Sequence, residues 1–221
     1  MRKTEFANGE YYHIFNRGVD KRKIFQDESD FRRFWLSMNL LNDDEDSLML
    51  RWKNYKRKKP NPNLKEFRQE SGSGQKPLVA FVAYCLNSNH FHFILKQLEE
   101  KGLERFMHKI GTSYANYFNE KYDRAGALFQ GRFKSIYINN NSRLLFLSSY
   151  VSCNSEVHGI VKAPNYQWCS FPEYIGKSED NVCSKKIIME QFRSGKEYME
   201  FAKESVRDAK QKKEDEKSFL E

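Results

Sequence analysis

The sequence lacks several features that define common classes of protein. Its N-terminal region has no apolar run of signal-peptide length, and no window is apolar over the length of a membrane span. The four cysteines, at positions 85, 153, 169 and 183, include no Cys-x-x-Cys pair, which argues against a structural zinc site. No Gly-rich loop ending in Lys-Ser or Lys-Thr occurs. These absences predict a cytoplasmic protein with reduced thiols, no membrane partner and no nucleotide cofactor.

The composition is basic and rich in aromatic residues. Lysine and arginine number 38 against 30 acidic residues, giving a net charge of +8, and aromatic residues make up 15% of the chain. Basic side chains neutralise phosphates and aromatic rings stack on unpaired bases, so a nucleic-acid partner is compatible with this balance. The composition alone does not decide the matter, because many basic proteins bind no specific nucleic acid.

The order of apolar patterns predicts an α+β fold with helices packed on one face of an antiparallel sheet. The run at 78–86 is almost continuously apolar and predicts a central strand. Residues 42–76 turn from acidic to basic and end in SGSGQK, which predicts a mobile insertion with a short helix near 64–70. We predict one domain over 1–180, with an insertion at about 42–77, and a charged helical tail over 181–221. Further strands are predicted at 10–17, 90–95 and 128–138, and helices at 25–41 (capped by Asp27 or Ser29), 103–122 and 142–152 (capped by Ser142).

The sharpest local feature is the triplet His90-Phe91-His92. Alternate residues of a strand point to the same face, so the two imidazoles project side by side while Phe91 points into the core. Two neighbouring imidazoles on a rigid strand form two-thirds of a facial metal site. The alternative is a pair of structural or surface histidines, and the triplet alone leaves both interpretations open.

Tyr150 and Asn154 are four residues apart, a spacing that places them on one face of a helix. Such a face would present a phenol for nucleophilic attack and an amide oxygen for a hard cation. The alternatives are a tyrosine that fills the core face of the helix and an asparagine that caps its C-terminus. Tyr114, Tyr117 and Tyr122 are rival nucleophiles, although Tyr114 and Tyr117 fall on an apolar helical stripe.

The chain resembles the IS200-like Y1 transposases of the HUH superfamily, and most closely their REP-associated tyrosine transposase branch. The resemblance runs over residues 10–176 without the insertion. Five blocks carry it in the family's order: YYHIFNRGVDKRKIFQDESDFRRF, NSNHFHFIL, GTSYANYFNEKYDRAGALFQGRFKSIYI, LLFLSSYVSCN and NYQWCSFPEYIG.

The resemblance implies a ferredoxin-like fold and a specific set of roles. His90 and His92 match the family's metal-binding pair, Tyr150 matches its nucleophile, and Asn154 matches the amide that completes the metal site. Mg²⁺ or Mn²⁺ suits such a site, since both leave positions open for phosphate oxygen and water. The chain departs from the family where a proline commonly follows the asparagine, because Ser155 and Glu156 stand there.

Basic residues cluster after the first strand and along the strand predicted at 128–138. Arg132 and Lys134 are two apart, which predicts that they share a face of that strand. Either cluster would neutralise phosphates of single-stranded or hairpin DNA, or would form an ordinary solvated surface. The predicted nucleic-acid-binding residues are Arg17, Lys21, Arg22, Lys23, Arg132 and Lys134.

These features predict metal-dependent nicking and rejoining of single-stranded DNA through a 5′-phosphotyrosine intermediate, as in transposition of hairpin-flanked elements, by a monomer or homodimer. One alternative is a non-catalytic DNA-binding protein derived from a transposase. A relaxase or replication initiator shares only the histidine pair, and a metal hydrolase using activated water would form no covalent adduct.

Overall fold

The computed structural model describes residues 5–71, 76–178, 180 and 182–218, with side chains up to residue 212. The described residues form one four-stranded antiparallel sheet in the order β2-β3-β1-β4. With a helical connection after β1 and another after β3, this order is that of a ferredoxin-like sandwich. The predicted α+β class and antiparallel sheet are confirmed. The strands are β1 (Tyr11–Arg17), β2 (Val79–Asn87), β3 (His90–Gln97) and β4 (Lys134–Ile138).

Helices connect and flank these strands, and their caps follow from local sequence. Asp27 caps the first helix as predicted, in a reciprocal capping box with Asp30. The cap of the fifth helix is Asn140 rather than Ser142, because the Asn140 side chain accepts the Arg143 backbone N–H. The helices are α1 (Glu28–Leu40), α2 (Leu48–Lys58), α3 (Leu64–Ser71), α4 (Gly102–Lys121), α5 (Asn141–Ser152), α6 (Asn154–Val157), α7 (Phe171–Tyr174), α8 (Lys186–Met189) and α9 (Gly195–Ser218).

Helices cover both faces of the sheet, which corrects the prediction that they lie on one face. Phe91, Phe93 and Leu95 of β3 pack with α1 and α4 in the first core. Ile94 of β3 and Val82 of β2 join a second core with α5, α7 and α9. The near-continuous apolar run of β2 supplies both faces, so both must be covered to remove them from water.

β2 lies at the edge of the sheet and not at its centre, contrary to the prediction. Its outer side is covered by two later segments: Leu86 N donates to Trp168 O at 2.9 Å, and Ser184 N donates to Phe81 O at 2.7 Å. These contacts satisfy backbone groups that an exposed edge strand would leave unpaired. The apolar run therefore reports burial of the strand and not its position in the sheet.

β4 begins at Lys134, six residues later than the start predicted at 128. Gly131 has φ +75, a left-handed conformation that is incompatible with a regular strand, so regular pairing begins only after it. Arg132 consequently lies in an irregular segment, and strand alternation does not relate it to Lys134.

The insertion is folded over its described part. The helix predicted near 64–70 is confirmed as α3, whereas the stretch before it forms α2 and not a mobile loop. Leu48 and Trp52, four residues apart, bury one face of α2 against Phe67 of α3 and Leu40 of α1. Residues 72–75 of the predicted mobile stretch lie outside the described residues.

The C-terminal helix α9 packs on α5 through an apolar stripe. Tyr198, Ala202, Val206 and Ala209 are buried along it, at the three- and four-residue spacing of one helical face. The domain division at residue 180 stays a prediction, and residues 219–221 of the predicted tail lie outside the described part. Among the described residues, no helix has both the length and the apolar character needed to cross a membrane.

Candidate active site

A cavity of about 620 Å³ opens on the second face of the sheet, at the ends of β1 and β3. Strand register brings its polar side chains together, since Arg17 of β1 pairs with His90 of β3 and Phe15 pairs with His92. Tyr150 of α5 also lines this cavity. None of the described residues that line this cavity is acidic.

The histidine pair projects from β3 as the alternation predicts. His90 and His92 line the cavity, and their ring centroids are 5.2 Å apart. Phe91 between them is 2% exposed and belongs to the first core. The Tyr150 ring lies 6.4 Å from the His92 ring, nearly perpendicular to it. The structure therefore brings the predicted nucleophile to the predicted metal ligands within one subunit.

Asn154 reaches the same place from a different local structure than predicted. α5 ends at Ser152, Cys153 forms its cap, and Asn154 begins the short helix α6, so Tyr150 and Asn154 do not share one continuous helix. The Asn154 side chain is buried, with Oδ1 at 3.1 Å from Nε2 of His90. The nearly helical turn at Cys153 keeps the two residues on the side that faces the sheet.

Hydrogen bonds define which ring nitrogen of His90 carries the proton. Nδ1 of His90 lies 2.6 Å from Oδ1 of Asn89, and because an amide oxygen only accepts, Nδ1 carries the proton. Nε2 of His90 then holds the lone pair, to which the side-chain amide of Asn87 donates at 2.9 Å. This tautomer is the one that binds a metal through Nε2.

His13 supports His92 and is a site residue that the sequence prediction missed. Its Nε2 lies 2.9 Å from Nδ1 of His92. Burial, reinforced by the positive charge of Arg143, lowers the pKa of His13 to about 4, so its ring is neutral at pH 7. When Nδ1–H of His92 donates to His13, Nε2 of His92 keeps its lone pair for a metal. The available signal was a histidine inside the apolar strand pattern YYHIF.

The donor set fits a divalent cation in its chemistry and spacing. Adjacent donors of a six-coordinate cation with bonds of about 2.1 Å lie about 3.0 Å apart, close to the separation between His90 Nε2 and Asn154 Oδ1. The Nδ2 atom of Asn154 is buried without a hydrogen-bond partner. Buried polar atoms normally have a partner, so hydrogen bonding of this nitrogen is not the reason that the amide is buried here. Among the described residues no group of three or more His, Cys, Asp and Glu side chains could hold a metal, so a cation at this site would need an amide oxygen such as that of Asn154 as a third ligand.

Three of the six predicted DNA-binding residues line the cavity: Arg17, Lys21 and Lys134. Arg22 and Lys23 are exposed beside it without lining it. Arg132 lines a separate groove of about 430 Å³ with α4, so the prediction that Arg132 and Lys134 share a face is wrong. The reason is that β4 begins only at Lys134, so Arg132 lies in the irregular segment that follows the turn at Gly131.

Two further residues of the site carried no sequence signal. His158 lines the cavity, with its ring 5.0 Å from the ring of His90. Asn87 is buried and contacts both His90 and Asn154. Of the rival nucleophiles, Tyr114 is buried and donates to the Ile24 carbonyl, which agrees with core packing.

A family model described as "Transposase IS200 like" matches residues 48–154, the segment that holds His90, His92, Tyr150 and Asn154. The resemblance to the IS200-like transposase family is confirmed. This transposase-type segment begins after β1, so His13, which supports His92, lies outside the match. Similarity to a transposase family, whose members process DNA, is therefore found for residues 48–154.

Two solved structures resemble this chain. A REP-associated tyrosine transposase bound to a REP hairpin aligns with 83% of this chain and 96% of its own, at 11% identity and a TM-score of 0.49. A tRNA(His) guanylyltransferase from Saccharomyces cerevisiae aligns with 90% of this chain and 79% of its own, at 10% identity and a TM-score of 0.31. Likeness at these levels carries no argument about function. No curated protein matches the sequence.

Proposed function

We propose that the chain nicks and rejoins single-stranded DNA by transesterification, with Tyr150 as the nucleophile. The observation that carries the proposal is that His90, His92 and Tyr150 line one basic cavity, with the buried Asn154 in contact with His90. Each of these side chains comes from a rigid strand or from the helical segment packed against it, as a preorganised site requires.

His90, His92 and Asn154 would hold Mg²⁺ or Mn²⁺. When bound, such a cation supplies Lewis acidity toward a non-bridging phosphate oxygen. His13 and Asn89 keep the ring protons on the Nδ1 atoms, so both Nε2 atoms can be ligands. Arg17, Lys21 and Lys134 would neutralise neighbouring phosphates of the strand and set its path through the cavity.

The chemical step exchanges one phosphoester bond for another. The Tyr150 hydroxyl oxygen attacks phosphorus, the bond to the 3′-oxygen breaks, the phenolic proton leaves to solvent, and the departing 3′-oxygen takes up a proton. The products are a 5′-phosphotyrosine link and a free 3′-hydroxyl. Because the ester is retained, the reverse attack by a 3′-hydroxyl rejoins DNA without a nucleotide cofactor.

The proposal is tested on a denaturing gel with labelled hairpin-bearing single strands and Mg²⁺ or Mn²⁺. We expect a covalent protein–DNA adduct that disappears in Tyr150→Phe and persists in Tyr137→Phe, an exposed tyrosine of β4 that serves as the matched control. Cleavage without an adduct would replace the transferase with a hydrolase that uses water. Binding without cleavage would favour a non-catalytic DNA-binding protein.

A further inference from the structure

We propose that Asn87 is an additional metal ligand. When a cation binds between His90 and Asn154, the amide of Asn87 would turn so that its oxygen faces the cation. This inference rests on the proposed function, because it presumes a divalent cation at this site. Neither the resemblance nor the pattern of the sequence assigns Asn87 a role.

The hairpin between β2 and β3 places Asn87 at the site. Asn87 and His90 are the pair that closes this hairpin, directly opposite each other across the two-residue turn Ser88-Asn89. Side chains of directly opposed residues lie on the same face of a sheet and within contact distance. Asn87 therefore projects beside His90 toward α6, and it is fully buried.

Three polar atoms meet there at ligand spacing. Nδ2 of Asn87 lies 2.9 Å from Nε2 of His90 and 2.6 Å from Oδ1 of Asn154, and the latter two atoms are 3.1 Å apart. Such a triangle matches one face of an octahedral coordination shell, whose edges are about 3.0 Å for bonds of about 2.1 Å. One corner, the Asn87 nitrogen, is a donor and cannot bind a cation as it stands.

A half turn of the Asn87 amide exchanges its nitrogen and oxygen, which are nearly equal in size. In the metal-free arrangement the NH₂ group faces two acceptors, His90 Nε2 and Asn154 Oδ1, as hydrogen bonding demands. With a cation between those acceptors, the amide oxygen becomes the favoured group at the same corner. The turn costs little elsewhere, because the other end of the amide contacts only Cys85 Sγ, at 3.6 Å, and a thiol both donates and accepts weakly.

The test measures Mn²⁺ binding to the full chain by calorimetry, with electron paramagnetic resonance of the bound ion as a second readout. Asn87→Leu keeps the size of the side chain and removes its oxygen, and we expect it to weaken Mn²⁺ binding by at least about tenfold. Asn87→Asp keeps the shape and supplies a charged oxygen, so we expect tighter binding and a larger rise of Tm on adding Mn²⁺. The matched control is Asn42→Leu, since the Asn42 amide bridges the Val79 backbone outside the cavity.

The outcomes separate this inference from the proposed function. If Asn87→Leu binds Mn²⁺ as tightly as the wild type, the inference fails while a site made by the other ligands stands. If Asn87→Asp weakens binding, Asn87 acts only as an N–H donor that positions His90 and Asn154, and the ligand role is refuted. If the wild type binds no Mn²⁺, both the inference and the metal dependence of the proposed reaction fail. Asn87→Asp decides the question alone if Asn87→Leu does not fold.

Discussion

The two faces of β3 show how one strand serves two purposes. On one face Phe91 and Phe93 are almost completely buried against aromatic rings from α1 and β2. On the other face His90 and His92 are half-buried and engaged in directed polar contacts with Asn87, Asn89 and His13. The first face stabilises the fold by removing apolar area from water, whereas the second has polar groups aimed at a cavity.

The difference between the two faces explains how the positions of the imidazole rings are fixed. Packed rings at alternate positions fix the strand backbone, and the strand then fixes the direction of each imidazole. The remaining freedom of each ring is removed by a hydrogen bond from a neighbouring strand or turn. We therefore predict that substitutions at Phe91 and Phe93 mainly lower the stability of the fold, whereas substitutions at His90 and His92 mainly lower activity.

Comparing Phe93→Ala with His92→Ala tests this division between stability and activity, and we expect the largest effects here. Phe93→Ala should lower the free energy of unfolding by about 3–5 kcal/mol, because it opens a cavity in the first core. His92→Ala should reduce DNA cleavage by more than about 100-fold, since a ligand and not merely its support is lost. Urea unfolding and gel cleavage assays measure both. Equal loss of stability in the two variants would contradict a division between the faces.

Glu173, a buried carboxyl group that contacts Cys183 beside β2, extends the comparison from the exposed site to a sealed polar group. Burial raises the pKa of Glu173 from its usual 4.5 to about 7, although the Cys183 backbone N–H bond opposes this shift. The folded chain thus holds a proton that the unfolded chain releases, and the stability it contributes is present below pH 4.5 and lost as pH rises through 7. Glu173→Gln should therefore be more stable than the wild type at pH 8.5, by on the order of 3 kcal/mol, and not at pH 4. Urea unfolding at both pH values checks this, and a gain of equal size at both would contradict it.

Removing the support of His92 should have a smaller effect than removing His92. His13→Phe fills the space of the ring but deletes its hydrogen bond to Nδ1 of His92. We expect Mn²⁺ affinity to fall by about 10–100-fold, the usual cost of losing a group that orients a metal-binding histidine. Calorimetry measures the affinity. Unchanged Mn²⁺ affinity would show that the ring of His92 is oriented without His13.

The smallest expected effect comes from single charges at the rim of the cavity. Lys21→Gln should reduce the slope of log affinity against log salt by about 0.7, the value for one phosphate contact on a single strand. Lys196→Gln, an exposed lysine of α9, is the matched control with an unchanged slope. Fluorescence anisotropy over a range of salt concentrations measures both. An equal change in the two variants would mean that net charge, and not this cavity, governs binding.

Local patterns predicted the parts of the molecule that depend on neighbours in sequence. Alternation placed His90 and His92 on one face, and the cap at Asp27 follows from the side chain itself. Patterns could not give the pairing of distant segments. His13 reaches His92 only through the register of β1 with β3, and β2 is an edge strand covered by residues 168 and 184.

Two predictions are wrong for local reasons. Gly131 adopts a left-handed conformation within the strand predicted at 128–138, so that β4 begins only at Lys134 and Arg132 lies in a separate groove. The many charges of α2 favour a mobile segment, but the apolar pair Leu48 and Trp52 is enough to bury one face of a helix. In both cases one or two residues override the average character of the segment.

The most direct measurement identifies the tyrosine that carries DNA. The covalent complex is digested with trypsin and nuclease and analysed by mass spectrometry. The account predicts a nucleotide on the peptide between Arg143 and Lys162, whose single tyrosine is Tyr150. A nucleotide on a peptide with any other tyrosine, or the absence of a nucleotide-bearing peptide from a cleavage-active sample, would contradict it.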